Sequence, residues 1–157
     1  MTLPQESPCA PDIEVRYSDD SLPILLLRAR ALMVDRFRKV FRNHEISEQQ
    51  FRVLRALHTE QLVDVTALAA RTDLLYPSLS RILRDMAARG LVTRQVGSDD
   101  ARQTLASLTQ QGRDLLGRTM IDVQLVHVEL NGEIGDERVA DLAQSLQFVI
   151  GVLDSDR

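Results

Sequence analysis

Between Asp64 and Leu108 the spacing of apolar residues changes from a helical period to a strand period, and few folds accommodate that order. Leu68, Ala69 and Ala70 mark a short helix that starts at Asp64 or Thr66 and ends near Thr72. After a turn through Asp73 and Leu74, a second helix opens near Tyr76-Pro77-Ser78, turns Leu79, Ile82, Leu83 and Met86 to one side, and stops at Gly90. Glycine suits that stop because it adopts the left-handed conformation that closes a helix. The runs Leu91-Val92-Thr93-Arg94-Gln95-Val96 and Thr104-Leu105-Ala106-Ser107-Leu108 then alternate with a period of two on either side of the polar residues 97–103. That pattern is a hairpin with a charged tip.

The flanks are helical. Residues 1 to about 18 carry Pro4, Pro8 and Pro11 without periodicity and are expected to form a flexible arm. Ser21 can cap the next helix, and Pro23 fits its first turn, where an N–H would have no intrahelical partner. From there to about Asn43, Leu26, Leu27, Arg30, Met33, Val34, Phe37 and Phe41 share one broad face. Ser47-Glu48-Gln49-Gln50 offers a capping box that opens a helix with Phe51, Val53, Leu54 and Leu57 inward, followed by a short link from Glu60 to Val63. Thr109 can cap a long helix carrying Leu115, Leu116, Met120, Val123 and Val126, broken around residues 132–135. A last helix from about Asp136 to Leu153 is expected to bury Val139, Leu142, Leu146, Val149 and Ile150. The terminal helices carry more apolar length than one compact unit needs, so an obligate two-fold dimer is expected. The fold class is mainly α (α+β).

Composition sets the outer limits. A chain of 157 residues that is 44% hydrophobic and 27% charged, without Trp, suits one ordinary globular domain and rules out collagen-like or wholly disordered chains. The run Leu22 to Leu27 includes Pro23 and falls well short of the roughly 20 apolar residues of a membrane span. Glu6, Asp12 and Glu14 precede any apolar run, unlike a secretory signal, and a cytoplasmic location is expected. Cys9 is the sole cysteine and has no intrachain disulfide partner. The net charge of −4 conceals an asymmetry: residues 21–55 hold eight basic residues against three acids, whereas residues 103–157 hold four against nine.

Two short helices and a hairpin in this order make a winged helix-turn-helix, whose second helix enters the major groove of DNA and whose hairpin reaches the adjacent minor groove. Pro77, Ser78, Ser80, Arg81 and Arg84 lie off the apolar side of that second helix. Arg81 has the fork that satisfies both major-groove acceptors of guanine, while Ser78, Ser80 and Arg84 suit phosphates or support. A solvated Arg/Ser face on an ordinary helix would look the same.

Asp100-Ala101-Arg102, followed by Leu108-Thr109-Gln110-Gln111-Gly112, resembles the wing and the following helix start of the multiple-antibiotic-resistance regulator (MarR) family. Pro77-Ser78-Leu79-Ser80-Arg81 through Gly90-Leu91-Val92 is similar too, and the resemblance runs from about Ser21 to the last helix. Residues 47–55, Ser21-Leu22-Pro23-Ile24 and Ala29-Arg30 look like the subgroup of repressors of homoprotocatechuate and related aromatic-acid degradation. The resemblance implies one domain over residues 19–157, with a reader at 46–109 and dimerisation helices at 19–45 and 110–157. It implies a homodimer on a pseudo-palindromic double-stranded operator, with Arg102 in the minor groove and Asp100 shaping the wing. Gly97, Ser98 and Asp99 lack the additional basic residue that many members carry there. It also implies control by a small molecule, for which an aromatic carboxylate or its thioester is the expected class. Arg30 interrupts an apolar face and would be matched by such a carboxylate, or by an acid across the dimer, or by water; His44 and Arg52 are further candidates.

Other classes find less in the chain. His44, His58 and His127 are far apart in sequence, and no Walker loop, dinucleotide glycine pattern or metal-ligand spacing occurs, so no catalytic residue, cofactor or metal is expected. Glu129 and Glu133 fit a solvated helix face. Redox sensing through Cys9 is an alternative, although no basic residue lies nearer than Arg16 to lower its pKa. A helical dimer that does not bind DNA is another, but it leaves the reader and wing unexplained.

Overall fold

The computed structural model describes residues 21–60, 62–97 and 103–155. The chain divides into two compact units, Met1–Met33 and Val34–Arg157, so the boundary falls inside the first helix, α1 (Leu22–Asn43). The expected arm, with Cys9, lies outside the described residues. In the first unit the described part is the N-terminal half of α1, where Leu22, Leu27 and Leu32 are exposed.

In the second unit, the rest of α1 buries Phe37, Val40 and Phe41. A turn with Glu45 in the left-handed region (φ 54°) leads to α2 (Glu48–His58). The expected capping box is formed: the Gln50 N–H donates to Ser47 Oγ at 3.1 Å, and the Ser47 N–H donates to Gln50 Oε1 at 2.8 Å. Next come β1 (Val63–Asp64), α3 (Val65–Thr72), α4 (Tyr76–Ala88), β2 (Val92–Val96), β3 (Thr104–Leu108), α5 (Gln110–Ile134) and α6 (Asp136–Asp154). The sheet has the order β1-β3-β2 and is antiparallel throughout, with Val92 opposite Leu108, Val96 opposite Thr104 and Val63 opposite Ala106.

The core is one cluster in which Leu54, Leu57, Leu68, Leu79, Leu83 and Met86 are fully buried. The buried hydroxyls of Thr72 and Thr119 donate to the carbonyls of Leu68 and Leu115, so neither leaves a polar atom unsatisfied. Gly112 is required by packing: a Cβ there would lie 2.1 Å from the Leu91 carbonyl oxygen, at the place where α5 crosses the start of β2. The Thr109 hydroxyl accepts from the Gly112 N–H and donates to the Gly90 carbonyl, tying the same junction.

Two expectations change. The link read from Glu60 to Val63 holds the start of β1, whose two residues are too few to show alternation in sequence. The residues expected to be buried along α6 are not. Leu142 and Ile150 are 51% and 58% exposed, and Val139, Leu146 and Val149 are half-buried. Periodicity marks an apolar face but not its cover, and within one chain α6 packs chiefly on α5.

Candidate nucleic-acid interface

Asp64 sets the start of the helix pair. It ends β1 and caps α3, its Oδ1 accepting from the N–H groups of Thr66 (2.8 Å) and Ala67 (3.1 Å). The Ala67 N–H is the main reason that its carboxyl titrates below the ordinary carboxylate value; partial burial opposes this, and the bonds from Thr66 and Gln103 add to it. At the other end of α3, Asp73 takes the left-handed conformation (φ 48°), and the Leu74 N–H donates to the Ala69 carbonyl at 3.2 Å, which closes the tight turn into α4.

α4 is anchored from behind by Leu79, Leu83 and Met86, and Gln50 Nε2 of α2 donates to Asp85 Oδ2 at 2.7 Å. Its other side presents Pro77, Ser78, Arg81 and Arg84 to solvent, with Ser80 half-buried. Neither Arg81 nor Arg84 makes an ion pair among the described residues, so both guanidiniums are available to an outside anion. Leu75 stands at the cap position and no side chain caps the helix, with Pro77 in the first turn. Beside α4, β2 and β3 form the stem of the hairpin. The Thr93 and Ser107 hydroxyls bond across it at 2.7 Å, and the Gly97 N–H donates to the Gln103 carbonyl at 2.9 Å. Arg94 is exposed on this stem without an ion pair among the described residues. Asp100 and Arg102 lie outside the described residues.

A cavity of about 840 Å³ opens between α2, α3 and α5. Ala56, Leu116 and Met120 give it an apolar floor, and Arg52, Arg55, Arg71 and Arg113 reach it from three elements. Arg71 is paired with Glu60 at 2.7 Å, and Arg52 Nε lies 3.1 Å from Glu48 Oε1 but out of line for a hydrogen bond. Arg55 stacks over the Phe51 ring at 5.9 Å, and Arg113 donates to the Leu108 carbonyl at 2.8 Å. Neither Arg55 nor Arg113 has an acidic partner among the described residues. An apolar floor under arginines suits a small organic anion. No cluster of metal-ligating side chains occurs among the described residues, and no described helix is long and apolar enough to cross a membrane.

The family model described as "MarR family" matches residues 44–103, which cover α2, the helix pair and β2 but stop short of β3. The homoprotocatechuate degradative operon repressor of Escherichia coli is 33% identical over 136 residues, 87% of this chain and 92% of that one. The chain belongs to the MarR family. Among solved structures, NadR in complex with 4-hydroxyphenylacetate superposes with a TM-score of 0.78 at 26% identity, covering 87% of this chain and 100% of that one. CouR, a transcriptional repressor bound to a 23-mer DNA duplex, gives 0.77 at 25% identity over 82% and 92% of the two chains.

Within this MarR-family chain, the expected reader residues Pro77, Ser78, Ser80, Arg81 and Arg84 are together on one helix. Of the expected ligand residues in the second unit, Arg52 and His44 line different cavities. Arg52 lines the large cavity; His44 bonds to Asp122 Oδ2 at 2.7 Å and lines a separate polar cavity of about 400 Å³ with Arg89 and Arg118. Arg30 belongs to the first unit, on an exposed part of α1. Sequence reasoning missed Arg55, Arg71 and Arg113 because they come from three separate segments and share no motif. It also missed Leu75, Tyr76 and Arg94, whose exposure becomes visible only once the helix ends and strand faces are fixed.

Proposed function

We propose that this MarR-family chain is a ligand-responsive repressor of an aromatic-compound catabolic operon, acting in the cytoplasm as a homodimer on a pseudo-palindromic operator. The observation that carries the reading is α4, a helix anchored by buried leucines that offers to solvent two guanidiniums without acidic partners among the described residues. Arg81 contacts a base, while Pro77, Ser78, Ser80 and Arg84 position the helix on the backbone; Arg102, with Asp100 shaping the tip, enters the minor groove. The relatives support this: one is named as an operon repressor and one was solved on a DNA duplex.

The effector belongs to the aromatic carboxylates or their thioesters, in keeping with a structural neighbour solved with 4-hydroxyphenylacetate. The 840 Å³ cavity is its site, with Arg52, Arg55 and Arg113 for the anionic group and Ala56, Leu116 and Met120 for the ring. Binding shifts the separation of the two reading helices away from the roughly 34 Å that successive major grooves require. Arg30 and His44 are further ligand residues, checked by the same titration. Fluorescence anisotropy on a palindromic promoter fragment tests the reading: sequence-dependent, salt-sensitive binding that an aromatic acid reverses is the expected result. Affinity indifferent to sequence and salt rejects the regulator. Calorimetry in which Arg52→Ala binds the acid as well as wild type removes Arg52 from the cavity, and the same result with Arg30→Ala removes Arg30 as a ligand residue.

A further inference from the structure

Large apolar side chains exposed among the described residues fall mostly on α1, α5 and α6, the helices assigned to the homodimer proposed above. Four do not: Leu62, Leu75, Tyr76 and Val96. Leu75 is 79% exposed, more than any other large apolar residue described, and Tyr76 beside it is 51% exposed. They form the entrance to α4, one turn ahead of Leu79 and directly before Pro77 and Ser78. Their placement costs stability twice. A leucine is left in water, and the cap position goes without the hydroxyl or carboxylate that closes α2, α3 and α5 at Ser47, Asp64 and Thr109.

We propose that Leu75, flanked by Tyr76, reads thymine through its 5-methyl group in the major groove of the operator half-site. The inference rests on the DNA-reading function above and names one base of its sequence preference. Thymine is the only base with an apolar group on its major-groove edge, and a leucine can satisfy nothing else there. The N-terminal residues of a reading helix are those that approach base edges. Leu75 and Tyr76 are exposed at the start of the helix that carries the exposed Ser78 and Arg81, within about two turns of both, so a protein partner seated on the pair would crowd the arginine proposed to contact DNA.

The probe is a duplex that the wild-type protein selects from a randomised pool, together with copies in which each thymine in turn is replaced by deoxyuridine, which differs only in lacking the methyl group. One position per half-site is expected to lose about fourfold in affinity, the value of one buried methyl. The Leu75→Ser variant restores a capping hydroxyl, so its Tm is expected to rise while its affinity for the thymine duplex falls and its deoxyuridine penalty disappears. Tyr76→Ala shrinks the same penalty. Equal binding to all deoxyuridine duplexes, or an undiminished penalty in Leu75→Ser, overturns the proposal while leaving the regulator intact. A protein that selects no sequence at all removes the DNA-reading function, and this inference goes with it.

Discussion

Asp64 carries more of the reading head than its sequence position suggests. It was legible as a possible cap because Asp precedes an apolar helical run, but Thr66 was an equal candidate until the two N–H bonds to the Asp64 carboxylate decided between them. Removing them with Asp64→Ala should cost about 1 kcal/mol, read from urea midpoints at neutral pH. The sign of the pH dependence follows from the lowered carboxyl: the folded state holds the charged form better than the unfolded chain does. The contribution is therefore complete well above the unfolded value of 3.8 and lost as the pH falls through and below it. Wild type and variant should converge in stability in acid; a gap that persists there contradicts the charge-assisted cap. Arg81 and Arg84 differ in another way. Arg81→Ala should cost about 1–3 kcal/mol and relax the preference at one base pair, whereas Arg84→Ala should weaken all duplexes evenly and reduce the salt slope by about 1. If both behave alike in a competition assay, the division between base and phosphate contacts is wrong.

At the scale of elements, residues that must do something local were easy to read. Ser47 with Gln50, Thr109 and Gly90 each close a helix by a bond or a backbone conformation that its own segment provides, so those ends fall where the sequence put them. β1 was missed because it exists only by pairing with a strand some forty positions later, at Val63 opposite Ala106. The large cavity was equally hidden, since its arginines meet only when α2, α3 and α5 pack. Two glycines of α5 separate packing from propensity. Gly112→Ala forces a methyl against the Leu91 carbonyl and should destabilise the chain by about 1–3 kcal/mol, while Gly117→Ala meets open space and should stabilise it by up to about 1 kcal/mol. Thermal melts of both variants check this, and equal effects would mean that α5 does not pass as close to the Leu91 carbonyl as it does here.

For the whole molecule the decisive feature is apolar surface that no described residue covers. Phe148 is 73% exposed, Ile121 66% and Leu153 63%, on helices whose inner sides already contact each other. Patches of this kind mark an interface, and two-fold pairing of α1, α5 and α6 is the arrangement that the proposed function needs. The exposure of α6 has the same origin: its periodicity marks an apolar face, and no described segment of the chain buries it. Phe148→Asp should therefore move the protein from dimer to monomer in sedimentation, because a charge in a closed apolar seam has no partner. The fully buried core around Leu54, Leu68, Leu79 and Leu83 does not depend on α6, so the helix pair and hairpin should stay folded by circular dichroism. With only one reading helix engaged at a time, affinity for a palindromic duplex should fall by about two orders of magnitude or more, while affinity for a half-site changes little. A Phe148→Asp protein that remains dimeric, or a monomer that holds the palindrome as tightly as wild type, would break the link between the exposed helices and the reading of paired half-sites.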